Sequence, residues 1–254
     1  CHHCSCKVLI DRGFGTEKIE ASLHSLFPDH ITKRMDYDTT RAKNAYQKII
    51  TEFENGIIDI LVGTQMVTKG LDFDNVAMVG ILNADSMLTF PDFRSHERAF
   101  QLMTQVSGRA GRKGSQGQVF IQTFNDNHPL FKILKSHTFK EFLFIQAKDR
   151  KLFNYPPYSR LIKISFKHKS KGKIDEAGLQ LAKIMRKSFG DRVLGPEYPI
   201  ISRIKNFYHK NLLLKIEQGA SIIQAKLIVK EIVKLMQNHT NFKSVRFSID
   251  VDPI

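Results

Sequence analysis

The sequence predicts an α/β doubly wound parallel sheet followed by a smaller α+β domain of βαββαβ order, and three observations carry that prediction. Apolar, β-branched runs at 57–62, 76–82 and 119–124 are separated by amphipathic helical stretches, the pattern of a parallel sheet covered by helices. Beyond Tyr155-Pro156-Pro157-Tyr158 the order changes to strand, helix, two strands, helix, strand. The charge changes at the same place: residues 1–155 carry 20 Lys and Arg against 17 Asp and Glu, whereas residues 156–254 carry 19 against 8. A basic domain after a near-neutral one points to a polyanionic partner, because each phosphate neutralised by a cation releases condensed counterions.

Taken in order, Lys7 to Ile10 read as a short strand, and Gly13-Phe14-Gly15-Thr16 leads into a helix with Ile19, Leu23 and Leu26 on one face before Pro28 ends it. Asp38-Thr39-Thr40 offers N-cap oxygens to a second helix lined by Ala42, Ala45, Tyr46, Ile49 and Phe53, stopped by Asn55-Gly56. The three buried strands follow, with a helix over 95–106 whose Ala99, Leu102, Met103 and Val106 face inward. In a doubly wound sheet, ligands bind beyond the carboxyl ends of the strands. Residues 129–152 form a helical connector. The second domain then has a strand over 161–166, a helix over 175–189, a Gly195-Pro196 turn, strands near 200–205 and 211–217, a helix over 221–237 and a strand over 245–251.

The 254 residues, 42% of them hydrophobic, suffice for two domains with ordinary cores. No apolar run approaches the roughly 20 residues that cross a bilayer, and the N-terminus lacks a signal-peptide layout. A cytoplasmic protein with no membrane partner is expected. The chain opens on Cys1 without an initiator methionine, so a piece of a longer protein is expected. Cys1-His2-His3-Cys4 has the spacing that lets two thiolates grip one zinc ion, with Cys6, a histidine or further residues needed to complete the tetrahedron.

Two motifs carry chemistry. In Gln105-Val106-Ser107-Gly108-Arg109-Ala110-Gly111-Arg112, two guanidinium groups are held among glycines that let the backbone approach a ligand. An always-charged planar fork suits the charge that spreads over a transferring phosphoryl group. The other motif, Gly63-Thr64-Gln65-Met66-Val67-Thr68-Lys69-Gly70-Leu71-Asp72-Phe73, begins where an apolar strand ends. Its backbone amides and the hydroxyls of Thr64 and Thr68 suit a nucleic-acid phosphate, and Asp72 can accept from a ribose hydroxyl or an arginine. In the basic domain, Arg203, Lys205, Tyr208 and Lys210 put cations beside aromatic groups near a turn between strands, which suits duplex or branched DNA. No G-x-x-x-x-G-K-[ST] phosphate loop and no acidic metal-binding strand motif occurs in the sequence.

Gly63 to Phe73 resembles motif V, and Gln105 to Arg112 motif VI, of the second RecA-like lobe of superfamily 2 helicases. The stretch Ala84-Asp85, Pro91 to Leu102, Gly13 to Glu17, Arg34 to Thr40, Gly195-Pro196 with Tyr208 and Leu212 to Lys215, and Asp250-Val251-Asp252-Pro253 narrow the likeness to the primosomal replication-restart helicases, the PriA family. The resemblance implies the C-terminal part of an ATP-dependent 3′-to-5′ DNA helicase that binds branched and single-stranded DNA and assembles a primosome. It implies partners too, the single-stranded-DNA-binding protein and other proteins that load the replicative helicase. Arg109 and Arg112 are implied to contact the γ-phosphate of ATP with Mg2+, one as an arginine finger, with Gln105 sensing nucleotide and Gly70 and Asp72 at the cleft. Thr64, Gln65 and Lys69 lie toward the DNA strand, and Cys1, Cys4 and Cys6 belong to a zinc module. The implied domains are a zinc remnant at 1–6, the RecA-like lobe at 7–128, a connector at 129–157 and the DNA-binding domain at 158–254. The Walker motifs belong to another lobe, so this stretch alone is expected to be inactive. The alternatives are a nucleic-acid-binding adaptor without motor activity and another superfamily 2 translocase, acting on RNA or on a protein complex.

Overall fold

The computed structural model describes residues 15–67, 76–108, 110–111 and 117–253. The chain divides into two compact units, Cys1–Thr138 and Phe139–Ile254, so the expected connector at 129–157 is cut between its two helices.

The first unit is mixed α/β. Helix α1 (Thr16–Leu26) leads to β1 (Thr32–Met35), α2 (Ala45–Glu54) and β2 (Ile60–Gly63), and β1 pairs with β2 in parallel from Thr32↔Ile60 to Met35↔Gly63. Then come β3 (Met78–Ile81), the short α3 (Ala84–Leu88), α4 (Ser95–Ser107), β4 (Gln118–Ile121) and α5 (Pro129–Ser136). Strands β3 and β4 also pair in parallel. Among the described residues these are two separate two-stranded pairs, each with its helical crossover, as the spacing of apolar runs predicts. Met35, Ile49, Ile50 and Ile58 form a core, and Val67 and Val76 pack against it from either side of the 68–75 segment.

Three details differ from expectation. Strand β1 replaces what reads as loop, because two cations in Thr32-Lys33-Arg34-Met35 hide its pleat while Thr32 and Met35 are buried. Helix α2 starts at Ala45 behind a left-handed Asn44, with no side-chain cap, because the Asp38-Thr39-Thr40 donors turn back onto Asp36 instead. The runs at 76–82 and 119–124 are not covered on both faces: Met78 and Phe120 stand 63% and 56% exposed in one row of the β3–β4 pair. The expected strand at 7–10 lies outside the described residues.

The second unit begins with α6 (Phe139–Leu152). It continues through β5 (Ser159–His168), α7 (Lys171–Phe189), β6 (Val193–Glu197), β7 (Arg203–Ile204), β8 (Phe207–Glu217), α8 (Ile222–Asn238) and β9 (Arg246–Val251). The antiparallel sheet runs β6-β8-β5-β9 with β7 folded onto β8, the split βαβ arrangement expected from the sequence. Where a Gly195-Pro196 turn is expected, the chain instead forms β6, whose register against β8 shifts between Leu194 and Glu197. Ser170 and Ser221 cap α7 and α8 by accepting from Lys173 N–H and Gln224 N–H. Strand alternation puts Ile162, Ile164 and Phe166 of β5 with Leu212, Leu214 and Ile216 of β8 in one core, closed by Leu181, Met185, Val229 and Met236 of the two helices. Asp252 ties down the end of β9: its backbone N–H donates to Leu161 O at 2.7 Å and its carboxylate accepts from Arg160 Nε at 2.7 Å.

Candidate nucleotide and nucleic-acid sites

In the first unit the described motif residues gather at strand ends. At the carboxyl end of β1, Asp36 is nearly buried and fully engaged. It accepts from Thr16 Oγ1 at 2.7 Å and from the Asp38 and Thr39 amides at 3.0 Å each, and Arg34 Nε lies 3.2 Å from it. Burial pushes this carboxyl up, but the Thr16 hydroxyl, the Thr39 amide, the Arg34 guanidinium and the Asp38 amide together hold it below its ordinary value. Asp36 is therefore an anionic organiser of the loop that follows β1. At the carboxyl end of β2, Thr64 and Gln65 are exposed and begin a single 3-10 turn closed by Val67 N–H on Thr64 O. That turn needs Gly63, since a Cβ there would sit 1.9 Å from Val67 Cγ2 and 2.7 Å from the Met35 carbonyl. Thr68, Lys69, Gly70 and Asp72 lie outside the described residues.

The arginine motif follows α4, whose inner face buries Ala99, Phe100 and Met103. Gln105 is exposed on the last turn, and Gly108 closes the helix by donating to Thr104 O at 3.0 Å. Gly111 then donates to Val76 O at 3.1 Å, and Gln118 to Ala77 O at 3.0 Å, extending the β3–β4 ladder backwards. Gly117 lies against Ala110 and Gly111, where an added Cβ would meet the Ala110 carbonyl carbon at 2.4 Å. Arg109 and Arg112 themselves lie outside the described residues. Their described flanks, Gly108, Ala110 and Gly111, lie at the amino ends of β3 and β4, beside Val76, while Thr64 sits at the carboxyl end of β2. The reason is connectivity: a segment between a helix and the next parallel strand must sit at that strand's start.

A further carboxylate, not singled out for a role from the sequence, fixes the end of β4. Asp85 on α3 accepts from Thr123 Oγ1 and from Phe124 N–H, at 2.9 Å each, and the Phe124 amide, aided by Thr123 and opposed by desolvation, keeps its carboxyl below the ordinary value. Its Ala84-Asp85 dipeptide is one of the family-like stretches, so the signal was present without its structural meaning. Nearby, His128 caps α5 at Leu130 N–H and packs edge-on against His96, and burial, helped by His96, pushes its ring nitrogen down in pKa.

In the second unit, Arg203, Lys205 and Tyr208 share one β-hairpin whose two turn residues, Lys205 and Asn206, both have positive φ, at 47° and 65°. Arg203 and Tyr208 are cross-strand partners, with the guanidinium carbon 5.2 Å from the ring centroid. Arg203 and Lys205 are exposed, while Tyr208 is half-buried against the core. Lys210, grouped with them from the sequence, shares the Tyr208 side of β8 but is buried there. It is 8% exposed, its Nζ lies 2.6 Å from Asp175 Oδ1 and 4.4 Å from the Tyr198 ring centroid, and Tyr198 donates to the same Asp175 oxygen at 2.7 Å. The Lys210 and Tyr198 donors hold the Asp175 carboxyl below its ordinary value, and burial together with Asp175 pushes the Tyr198 phenol up to about 12. Lys210 thus secures α7 to β8.

Cys1, Cys4 and Cys6 lie outside the described residues, and no group of three or more His, Cys, Asp or Glu side chains suited to a metal occurs among the described ones. Among the described residues no helix is long and apolar enough to cross a membrane.

Residues 15–114 match the helicase conserved C-terminal domain, and residues 151–254 match the primosomal protein N C-terminal domain. Replication restart protein PriA of Bacillus subtilis is 37% identical over 255 residues, taking in 100% of this chain and 31% of that protein. The proteins of the same description from Synechocystis sp. and Borreliella burgdorferi are 38% and 31% identical over 256 residues, again across 100% of this chain and 30% and 38% of theirs. The chain spans about a third of the length of these curated relatives.

Proposed function

Because the chain belongs to the replication restart PriA family, we propose that it supplies the arginine-bearing half of an ATP site and a DNA-binding domain. The whole would be an ATP-dependent 3′-to-5′ helicase that acts on branched DNA and assembles a primosome. One observation supports the ATP half above the rest: the Gly111-to-Val76 hydrogen bond, 3.1 Å long, fixes the glycine between the two arginines beside the start of β3, where the described chain resumes three residues beyond the 63–73 motif.

At that edge Arg109 and Arg112 reach an anion brought by a neighbouring lobe, one of them as arginine finger, while Gln105 reports the nucleotide state and Gly70 and Asp72 line the cleft. The reaction served is phosphoryl transfer to water, with the phosphate loop and the Mg2+ ligands supplied by that other lobe. Thr64 and Gln65, at the far end of β2, track the single strand together with Lys69. Arg203, Lys205 and Tyr208 hold duplex near the branch, and Cys1 and Cys4 contribute to a zinc module through which no step here runs. The single-stranded-DNA-binding protein and helicase-loading proteins are the proposed partners, and the cytoplasm the proposed location.

The test joins this chain to the phosphate-loop lobe and measures DNA-stimulated ATP turnover. Arg112→Ala is expected to lower turnover by about 10³-fold with little change in DNA affinity, as for other arginine fingers. Unchanged turnover overturns the assignment, and the 254 residues alone are expected to hydrolyse no ATP.

A further inference from the structure

Of the second unit's three helices, α7 and α8 pack on one face of its sheet. On the other face Leu161 is buried and Lys215 donates to Phe153 O at 2.6 Å, so the chain after α6 meets one end of that face, eight residues along β8 from Phe207. Strand alternation assigns Lys163, Ser165 and Lys167 of β5, Phe207, His209 and Asn211 of β8, and Arg246 and Ser248 of β9 to this second face. Its centre of charge is unusual. Lys167 Nζ lies 5.6 Å, Lys169 Nζ 5.8 Å and the Arg246 guanidinium carbon 5.3 Å from the centroid of one ring, that of Phe207. None of these three cations pairs with a carboxylate among the described residues, whereas Lys210, Arg160 and Arg192 each do. The acidic group on the same face, Asp250, stands across from Lys163, four residues along β9 from Arg246. Phe207 is half-buried but is not among the side chains packed on the core, so its ring is held by the hairpin and not enclosed.

We propose that this face binds single-stranded DNA, with an unpaired base stacked on Phe207 and the phosphates on either side held by Lys167, Lys169 and Arg246. Three like charges around one apolar ring repel each other in the free protein, and a polyanion that places an aromatic plane among them relieves the repulsion and covers the ring. Duplex DNA offers its phosphates but keeps its base faces stacked, so it cannot use Phe207. Further along the same face, Ser165 on Asn211 at 2.9 Å and Ser248 on the Ser165 carbonyl at 3.3 Å offer neutral hydrogen-bonding groups to the rest of the strand. The proposal rests on the reading that the second unit binds DNA, and it divides that unit's labour. The Arg203 and Tyr208 side of the hairpin serves duplex, and the Phe207 side serves the strand that leaves it.

The experiment uses the full chain with a fluorescent oligo-dT and a hairpin duplex of equal charge, with anisotropy read across a salt series. Phe207→Leu keeps the apolar bulk and is expected to weaken oligo-dT binding about tenfold while leaving duplex affinity within about twofold. Lys167→Gln with Arg246→Gln changes only surface charge, and it is expected to reduce the single-strand salt slope by about 1.4, two phosphate contacts' worth. Oligo-dT affinity unaffected by both variants overturns this proposal while leaving the DNA-binding reading standing. Should the unaltered chain bind neither probe, that reading falls as well. An oligo-dT slope that changes while Phe207→Leu has no effect assigns the face to phosphate alone and removes the stacked base.

Discussion

The two units solve the problem of presenting polar groups in opposite ways. In the first, each parallel strand has four residues, and the described motif residues Thr64, Gln65 and Gln105 sit on a turn or helix end. In the second, strands of ten and eleven residues pair antiparallel over most of their length and enclose six large side chains of β5 and β8 almost completely, so the functional groups stand on the sheet itself. Parallel βαβ units return the chain through helices and place their loops at the strand ends, where another lobe's ligand can be met. A helix-backed antiparallel sheet keeps one whole face for solvent or ligand. On the proposed reading, the first unit completes a site with another body and the second holds one by itself.

That contrast can be broken most directly by truncation. Leu214→Ala removes atoms from a fully buried position and is expected to lower the stability of the second unit by about 2–5 kcal/mol, whereas Met78→Ala on the exposed row of β3 is expected to shift the first unit by less than about 0.5 kcal/mol. Denaturant unfolding followed separately for each unit checks this, and equal losses would remove the distinction.

A smaller effect sharpens it. Lys210→Met is expected to cost the second unit about 1–3 kcal/mol near neutral pH, because it strips a donor from Asp175, which is partly exposed and so partly compensated by water. The pH dependence follows in sign. Since Asp175 has a lowered folded pKa, its contribution is present above the ordinary value of 3.8 and is lost as pH falls through the folded value. Unfolding midpoints of the variant should therefore fall less steeply on the acid side than those of the parent chain.

The smallest expected effect is spectroscopic. Tyr198 has its phenol pushed up to about 12, so its stabilisation is full below 10.0 and disappears as pH rises through that higher value. Tyr198→Phe should delete the highest-pH step of the phenolate absorbance titration. Loss of a step near the ordinary tyrosine value instead would show that the Asp175 contact is not formed.

Legibility followed the strength of the local period. Helices α4, α7 and α8 are read from sequence to within a few residues because their apolar faces repeat every three or four positions, and Ser170 and Ser221 mark two of the starts. Strand β1 escapes because Lys33 and Arg34 occupy its middle, and β6 because Gly195-Pro196 reads as a turn until its bulged pairing with β8 is seen. The Asp38-Thr39-Thr40 oxygens and amides were free, by sequence alone, to cap α2 or to close on Asp36, and only the position of β1 chose between them. The two motifs were recognisable as chemistry, yet the contact of Gly111 with Val76 is a property of the strand pairing and not of the motif.

The sequence by itself determined the order of elements, the parallel and antiparallel character of the two units and the concentration of positive charge in the second, because all three follow from local periodicity and composition. In β8, which begins four residues before the strand expected at 211–217, period-two alternation puts Phe207 opposite Tyr208 and Lys210. Only the tertiary structure decided which of those rows faces α7 and α8, and so turned Lys210 inward onto Asp175 and left Phe207 among three cations. A strand records that its faces differ, but which face is buried depends on where the helices pack.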